Sequence, residues 1–115
     1  MLGNSFLHLS RRVVHEDMIG SFRDRWLEAF FVDDIRSKRI PASIEDRLFR
    51  KLQMLDDART DIDLRAPPSN GFEKLSGHLT GWHSIRVNLR WRLIFQWNAD
   101  TGEAWGVYLD DHSYR

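Results

Sequence analysis

The sequence predicts an α+β fold in which two N-terminal helices pack on a small twisted antiparallel sheet. In the first half of the chain, apolar residues recur every three or four positions, which is typical of helices with one buried side. From residue 82 onward, apolar and polar residues alternate, which is typical of half-buried strands. Helices followed by a strand meander indicate α+β architecture, and 115 residues suffice for one such domain.

Two helices are predicted before the strands. The first, near residues 22–34, has apolar residues at helical spacing: Trp26, Leu27, Phe30 and Phe31. Ser21 is its predicted N-cap, with Asp24 at the third helical position. After Pro41, a second helix near 43–58, capped by Ser43, is predicted by the stripe Ile44, Leu48, Leu52 and Leu55. Its other side carries charges that suit a solvated surface or a partner: Arg47, Arg50, Lys51 and Asp57.

Three strands are predicted after a proline-rich turn at residues 66–71. In the first two strands, one side carries His83, Ile85 and Val87, then Trp91, Leu93, Phe95 and Trp97. The opposite side carries Ser84, Arg86 and Asn88, then Arg90, Arg92 and Gln96. Asn88-Leu89 joins these two runs as a hairpin, and a turn at 98–102 leads into a final strand where Trp105, Val107 and Leu109 alternate.

The first 17 residues differ from the rest because their apolar residues form no full helical stripe. Arg11 and Arg12 follow this apolar patch without a small-residue cleavage site, so a signal peptide is not predicted. We expect an N-terminal extension over residues 1–17 that is partly ordered and dispensable for the chemistry. One domain is expected over residues 18–115.

Composition and charge exclude several classes of protein. The absence of cysteine excludes a disulfide scaffold, a thiolate nucleophile and a cysteine zinc site, and it suits a reducing cytoplasm. No apolar run approaches the roughly 18 residues of a membrane span. The formal net charge is zero, but residues 72–97 carry a net +3 and residues 98–115 a net −3. Such segregation can form a basic patch on a neutral protein.

The residues that could carry chemistry are arginines and one histidine. The sequence has no glycine-rich phosphate loop, no zinc-protease or serine-hydrolase motif and no metal-ligand cluster, so neither cofactor nor metal is expected. Arginine forks bind phosphate and a histidine can transfer a proton, which is most of what a metal-free ribonuclease requires. The simpler alternative is that Arg86 and Arg92 pair with Asp110 and Asp111 across the sheet.

Four short segments occur in a particular order and spacing: residues 64–70 (LRAPPSN), 72–77 (FEKLSG), 82–88 (WHSIRVN) and 91–95 (WRLIF). Together they resemble the HigB-type toxins of the RelE/ParE superfamily of bacterial toxin–antitoxin modules. The similarity extends from the Met18 opening to His112. It implies a RelE-like fold, which agrees with the α+β prediction made from periodicity.

The resemblance implies a ribosome-dependent mRNA endonuclease, held inactive by a helix-turn-helix HigA-type antitoxin. Such a toxin enters the A site of the 70S ribosome and cuts the exposed codon. The ribose 2′-OH attacks the scissile phosphate and leaves a 2′,3′-cyclic phosphate, with no metal or other cofactor. DNA is expected to be contacted only through the antitoxin complex, and no membrane partner is expected.

Site residues follow from position within these motifs. The resemblance implies that Arg92 stabilises the transition state and that His112 transfers a proton or orients a group. Glu73 falls where some members have a histidine acting as a base, and Asp111 replaces the tyrosine of the family's D-Y-H ending. Which of Glu73, Asp111 and His112 is base and which is acid stays open. The candidate RNA or phosphate contacts are Lys74, Trp82, Arg86, Asn88 and Arg90.

Two alternatives come from other functional classes. One is a ParE-like toxin that inhibits gyrase, which the shared fold allows. The other is a catalytically weak homologue that keeps antitoxin binding and operon corepression. Asp111 at the tyrosine position and the neutral net charge motivate this second alternative.

Overall fold

The computed structural model describes residues 19–111, in which helices precede a four-stranded antiparallel sheet. This confirms the predicted α+β fold. Helix α1 spans Arg25–Asp33, α2 spans Glu45–Asp57 after a 3₁₀ turn at Ala42–Ile44, and the short α3 spans Asp61–Arg65. The predicted extension over residues 1–17 and the predicted site residue His112 lie outside the described residues. Within residues 19–111, no helix is both long and apolar enough to cross a membrane.

The sheet has the spatial order β1-β2-β3-β4, with every neighbouring pair antiparallel. Its strands are β1 (Glu73–Lys74), β2 (Trp82–Arg86), β3 (Arg92–Asn98) and β4 (Glu103–Asp110). The predicted hairpin between β2 and β3 and the predicted final strand are both confirmed. Sequence alternation does not reveal β1, because two residues are too few to show a period.

Both predicted helices begin later than expected, and the predicted serine caps are wrong. Helix α1 has Asp24 as its N-cap, and Ser21 instead accepts a hydrogen bond on Oγ from the Gly106 backbone N–H at 2.8 Å. Ser21 cannot begin a helix because the chain is extended there. Helix α2 has Ile44 as its N-cap because Ser43 lies within the preceding 3₁₀ turn, and no side-chain cap bond forms.

The extended residues 20–23 run alongside the outer edge of β4. Gly20 donates its backbone N–H to Ala104 at 2.7 Å, and Arg23 donates to Val107 at 2.9 Å. Val107 returns a hydrogen bond to the Ser21 carbonyl at 3.1 Å, in a parallel bridge between Phe22 and Val107. The beginning of the described chain is therefore joined to its last strand.

The hydrophobic core lies between the helices and one side of the sheet, which we call the core face. It buries residues of the predicted stripes, including Leu27, Phe31, Leu48, Leu52, Ile85, Leu93, Phe95, Val107 and Leu109. Burying each such side chain fully stabilises the fold by about 1.5–3 kcal/mol. Since strand residues alternate, the neighbours of these core residues point to the opposite side, the outer face.

Candidate phosphate-binding site

The outer face collects polar side chains in two rows that run across the strands. The strand register aligns one row as Glu73, Ser84, Ile94 and Tyr108, and the other as Arg86, Arg92 and Asp110. Residues directly opposite each other on neighbouring strands share a face of the sheet. Three candidates named from the sequence, Glu73, Arg86 and Arg92, are therefore brought together.

Arg92 is the centre of this group, and only 3% of its surface is exposed. Its Nε donates a hydrogen bond to Ser84 Oγ at 2.9 Å, and one terminal nitrogen donates to the Gly71 carbonyl at 2.6 Å. The same nitrogen lies 3.5 Å from Glu73 Oε1. Burying a cation is costly unless hydrogen bonds and counter-charges compensate. These contacts fix the guanidinium in one orientation.

Glu73 and Lys74 are neighbours in β1 but point to opposite faces. Glu73 pairs with Ser84 and so lies on the outer face, with half of its side chain exposed. Lys74 pairs with His83, which faces the core side of the sheet. The structure therefore separates Lys74 from Arg92, unlike the grouping suggested by its position in the sequence.

Gly71 stands between the two arginines of the outer face. Its carbonyl accepts the hydrogen bond from Arg92, and a Cβ placed on it would lie 3.3 Å from a terminal nitrogen of Arg86. Its φ of +52° belongs to the left-handed region that favours glycine. The turn at Pro68–Asn70 thus brings the backbone close to Arg86 and Arg92.

The β2–β3 hairpin tip holds two more of the predicted residues, Asn88 and Arg90. Asn88 Oδ1 accepts hydrogen bonds from the backbone N–H groups of Arg90 and Trp91, at 2.8 and 2.7 Å, and so closes the turn. Arg90 lies 3.6 Å from Asp111 and is largely exposed. Asp111 therefore meets Arg90 rather than Arg86 or Arg92, whereas Asp110 lies directly opposite Arg92 in the strand register, where the salt-bridge alternative places it.

Beside Arg92 on the outer face, three side chains pack against one another: Trp82, Tyr108 and Arg23. Tyr108 packs edge-on against Trp82, with ring centroids 5.8 Å apart. Arg23 covers the Tyr108 ring at 3.7 Å and also pairs with Asp24 at 3.1 Å. Trp82 was predicted from the sequence, but Arg23 and Tyr108 were not. Tyr108 could have been found because it precedes Asp110 by two residues and so shares its face.

His83 belongs to the core face, not to the phosphate-binding group. Its ring is stacked between Phe72 and Phe95, at centroid distances of 5.4 and 6.2 Å. Burial, and secondarily the nearby Lys74 ammonium, lowers the pKa of His83 below its ordinary value. Its Nδ1 is buried and has no hydrogen-bond partner among the described residues. These features suit a partly exposed ring that is held between two aromatic side chains.

This arrangement can bind a phosphate and stabilise charge that develops on it. A guanidinium carries N–H donors in a planar fork that matches the geometry of phosphate oxygens, and in Arg92 the Nε and one terminal nitrogen already donate to Ser84 and Gly71. Glu73 places a carboxylate beside that fork, and Arg86 adds a second cation on the same face. The fold and the side chains on the outer face define a small α+β domain with an arginine-centred candidate anion site.

Comparison with known proteins identifies a toxin family for this fold. The family described as RelE-like toxin of type II toxin–antitoxin system HigB matches residues 20–112. Toxin HigB-1 of Vibrio cholerae serotype O1 is 58% identical over 93 residues, which cover 81% of this chain and 96% of that protein. Endoribonuclease HigB of Proteus vulgaris is 32% identical over 95 residues, which cover 83% of this chain and 99% of that protein.

The chain belongs to the HigB-like family of RelE-like toxins from type II toxin–antitoxin systems. The resemblance seen in the four sequence segments is therefore confirmed. Membership of a type II system implies an antitoxin as partner.

Proposed function

We propose that this chain is a toxin that cuts mRNA on the ribosome without a metal ion, and that a HigA-type antitoxin holds it inactive in the cytoplasm. The observation that carries the proposal is the guanidinium of Arg92, fixed by Ser84 and Gly71 and placed 3.5 Å from the Glu73 carboxylate. An endonuclease that uses the substrate's own 2′-OH needs this pair of groups: a fixed cation and a nearby base. The name of the Proteus vulgaris relative supports the same reaction class.

The proposed reaction begins with the ribose 2′-OH. Glu73 takes its proton while the 2′-oxygen attacks the adjacent phosphorus, and Arg92 neutralises charge on the non-bridging oxygens. The bond from phosphorus to the 5′-oxygen breaks, and a general acid protonates that oxygen. His112 and Asp111 are the candidates for this acid. The products are a 2′,3′-cyclic phosphate and a free 5′-hydroxyl.

The remaining predicted residues bind the RNA in this proposal. Arg86 and Arg90 contact phosphates, and Trp82 stacks on a base, since stacking on an aromatic ring is worth about 1–3 kcal/mol per base. Asn88 acts through the hairpin turn that it closes. Lys74 contacts rRNA or phosphate from the other side of the sheet. The toxin domain spans residues 18–115 in this proposal, which the family match over residues 20–112 supports.

The experiment is to induce the chain in a bacterium and map the 5′ ends of a reporter mRNA. Untranslated copies of the same reporter test ribosome dependence. Arg92→Lys keeps the charge but loses the fork, and Arg39→Ala removes an exposed arginine outside the site as a control. We expect new 5′ ends on translated message, unchanged in Arg39→Ala and reduced about 100- to 1,000-fold in Arg92→Lys.

Three outcomes would contradict the proposal. Undiminished cleavage by a folded Arg92→Lys protein would show that the reaction does not need the guanidinium fork of Arg92. Growth arrest with intact mRNA would favour the gyrase-inhibiting alternative. Normal growth with intact mRNA, in cells that contain the folded toxin, would favour a homologue that keeps only antitoxin binding.

A further inference from the structure

A groove beside the hairpin tip is lined by four basic residues, of which the three on α2 have no part in the proposed function. It encloses about 430 Å³ between α2, the turn before β1 and the end of β2. Its lining consists of Arg47, Arg50, Lys51, Ser69, Arg86, Val87, Asn88 and Leu89. Of these eight described residues, four are basic and none is acidic. We call this feature the basic groove.

The charge of the basic groove stands out because the whole chain has no net charge. Lys51 is partly buried, and its ammonium donates a hydrogen bond to Asn70 Oδ1 at 2.6 Å. Burial, together with the neighbouring Arg47 and Arg50, lowers the pKa of Lys51. Three like charges held this close repel one another, and an anion in the groove would relieve that repulsion.

The basic groove is continuous with the candidate phosphate-binding site. Arg86 lines the groove and is also the register partner of Arg92 on the neighbouring strand. The Gly71 carbonyl accepts the hydrogen bond from Arg92, and a Cβ placed on Gly71 would lie 3.3 Å from Arg86, so this one turn lies beside both sites. A polymer with regularly spaced negative charges could therefore span both sites. With one charge at Arg92, its next charges would lie in the groove.

We infer that the basic groove binds the phosphate backbone of single-stranded RNA next to the scissile bond. This inference rests on the proposed function, since it extends the same substrate beyond Arg92. The α2 residues Arg47 and Arg50 then bind phosphates without contacting the reacting atoms. A charged lining with no aromatic side chain among the described groove residues predicts binding that depends on the backbone and tolerates any base.

The test measures binding of a fluorescent single-stranded RNA oligonucleotide as a function of salt concentration, with the full chain carrying Arg92→Lys so that the RNA stays intact. Arg47→Gln/Arg50→Gln is compared with Lys38→Gln/Arg39→Gln, which removes two exposed cations outside the groove. Losing two phosphate contacts should make the slope of log K against log salt shallower by about 1.4, since single strands contribute about 0.7 per contact. The control slope should not change.

The outcomes separate this inference from the proposed function. Unchanged RNA affinity and slope in the folded groove variant would overturn the inference, even if mRNA cleavage continued to depend on Arg92. Loss of antitoxin binding with normal RNA binding would also overturn it, because the groove would then serve an acidic protein partner. If the double variant unfolds, Arg47→Gln and Arg50→Gln are measured singly, each with an expected slope change of about 0.7.

Discussion

The two faces of the sheet bury their side chains in different ways, although the same strands form both. On the core face, Leu93 is buried among other apolar residues, and its neighbours can be exchanged for other apolar side chains of similar volume. On the outer face, the adjacent residue Arg92 is nearly as buried but depends on particular partners, Ser84 and Gly71. The comparison shows that burial alone does not identify the structural face of a strand. The two faces are told apart by what the buried side chain contacts, which is apolar groups on the core face and hydrogen-bond partners on the outer face.

Truncating the core face should have the largest effect. Leu93→Ala removes most of a fully buried side chain, and we expect the free energy of unfolding to fall by about 2–5 kcal/mol. Leu89→Ala, at the 90% exposed hairpin tip, is the matched control and should change stability by no more than about 0.5 kcal/mol. Denaturant unfolding measures both. Equal losses in the two variants would contradict the assigned core face.

Ser84→Ala tests whether the burial of Arg92 depends on its hydrogen bond to Ser84. The substitution leaves the buried Nε–H of Arg92 without its Ser84 acceptor, which costs about 1–3 kcal/mol of stability. RNA cleavage per folded molecule should also fall, because the guanidinium loses one of its orienting bonds. Ser76→Ala, at an exposed serine, should change neither quantity. Lost stability with full cleavage would mean that Ser84 does not position Arg92 for the reaction.

Gly71→Ala perturbs the turn that accepts the Arg92 hydrogen bond and lies next to Arg86. A side chain at a φ of +52° costs about 1 kcal/mol of stability, and its Cβ would push the Arg86 guanidinium by a few tenths of an ångström. We therefore expect a modest fall in thermal stability and weaker binding of RNA. Gly77→Ala has a similar φ of +65° but open space around the Cβ, so it should lose stability without losing RNA affinity. Equal RNA affinities for the two variants would contradict a role for Gly71 in the site.

A pH titration gives the smallest effect and reports on the core face alone. Because the pKa of His83 is lowered in the folded protein, the unfolded chain binds a proton first as the pH falls. Its contribution to stability is therefore full well above pH 6.5 and decreases as the pH falls through that ordinary value. Thermal unfolding between about pH 8 and pH 5.5 should show a shallower pH dependence for His83→Phe. His78→Phe, at an exposed histidine, should follow the unmodified chain.

Much of the fold follows from local patterns in the sequence, and the exceptions depend on distant contacts. Alternation alone predicts β2, β3 and β4, and it places Arg92 and Leu93 on opposite faces of β3. It cannot show that Arg92 is buried, because the carbonyl that accepts its hydrogen bond belongs to Gly71, 21 residues earlier. Local alternation also cannot place Glu73 on the outer face and Lys74 on the core face. That assignment depends on how β1 pairs with β2.

The beginning of the described chain shows the same limit. A serine three residues before an aspartate predicts a helix cap, but Ser21 bonds to Gly106, which lies 85 residues away. Arg23 reaches Tyr108 for the same reason, since residues 20–23 run beside β4. The capping pattern predicted a local structure that does not form, because residues 20–23 pair instead with the distant strand β4.

That pairing also determines how the sheet can meet other chains. An uncovered outer strand offers unpaired N–H and C=O groups to which a foreign strand can add. Residues 20–23 already occupy this position along the middle of β4. At the opposite margin, the two residues of β1 leave the Arg86 end of β2 without a neighbouring strand in the described chain. Within the described residues, the two margins of the sheet therefore differ in how much of their backbone is already paired.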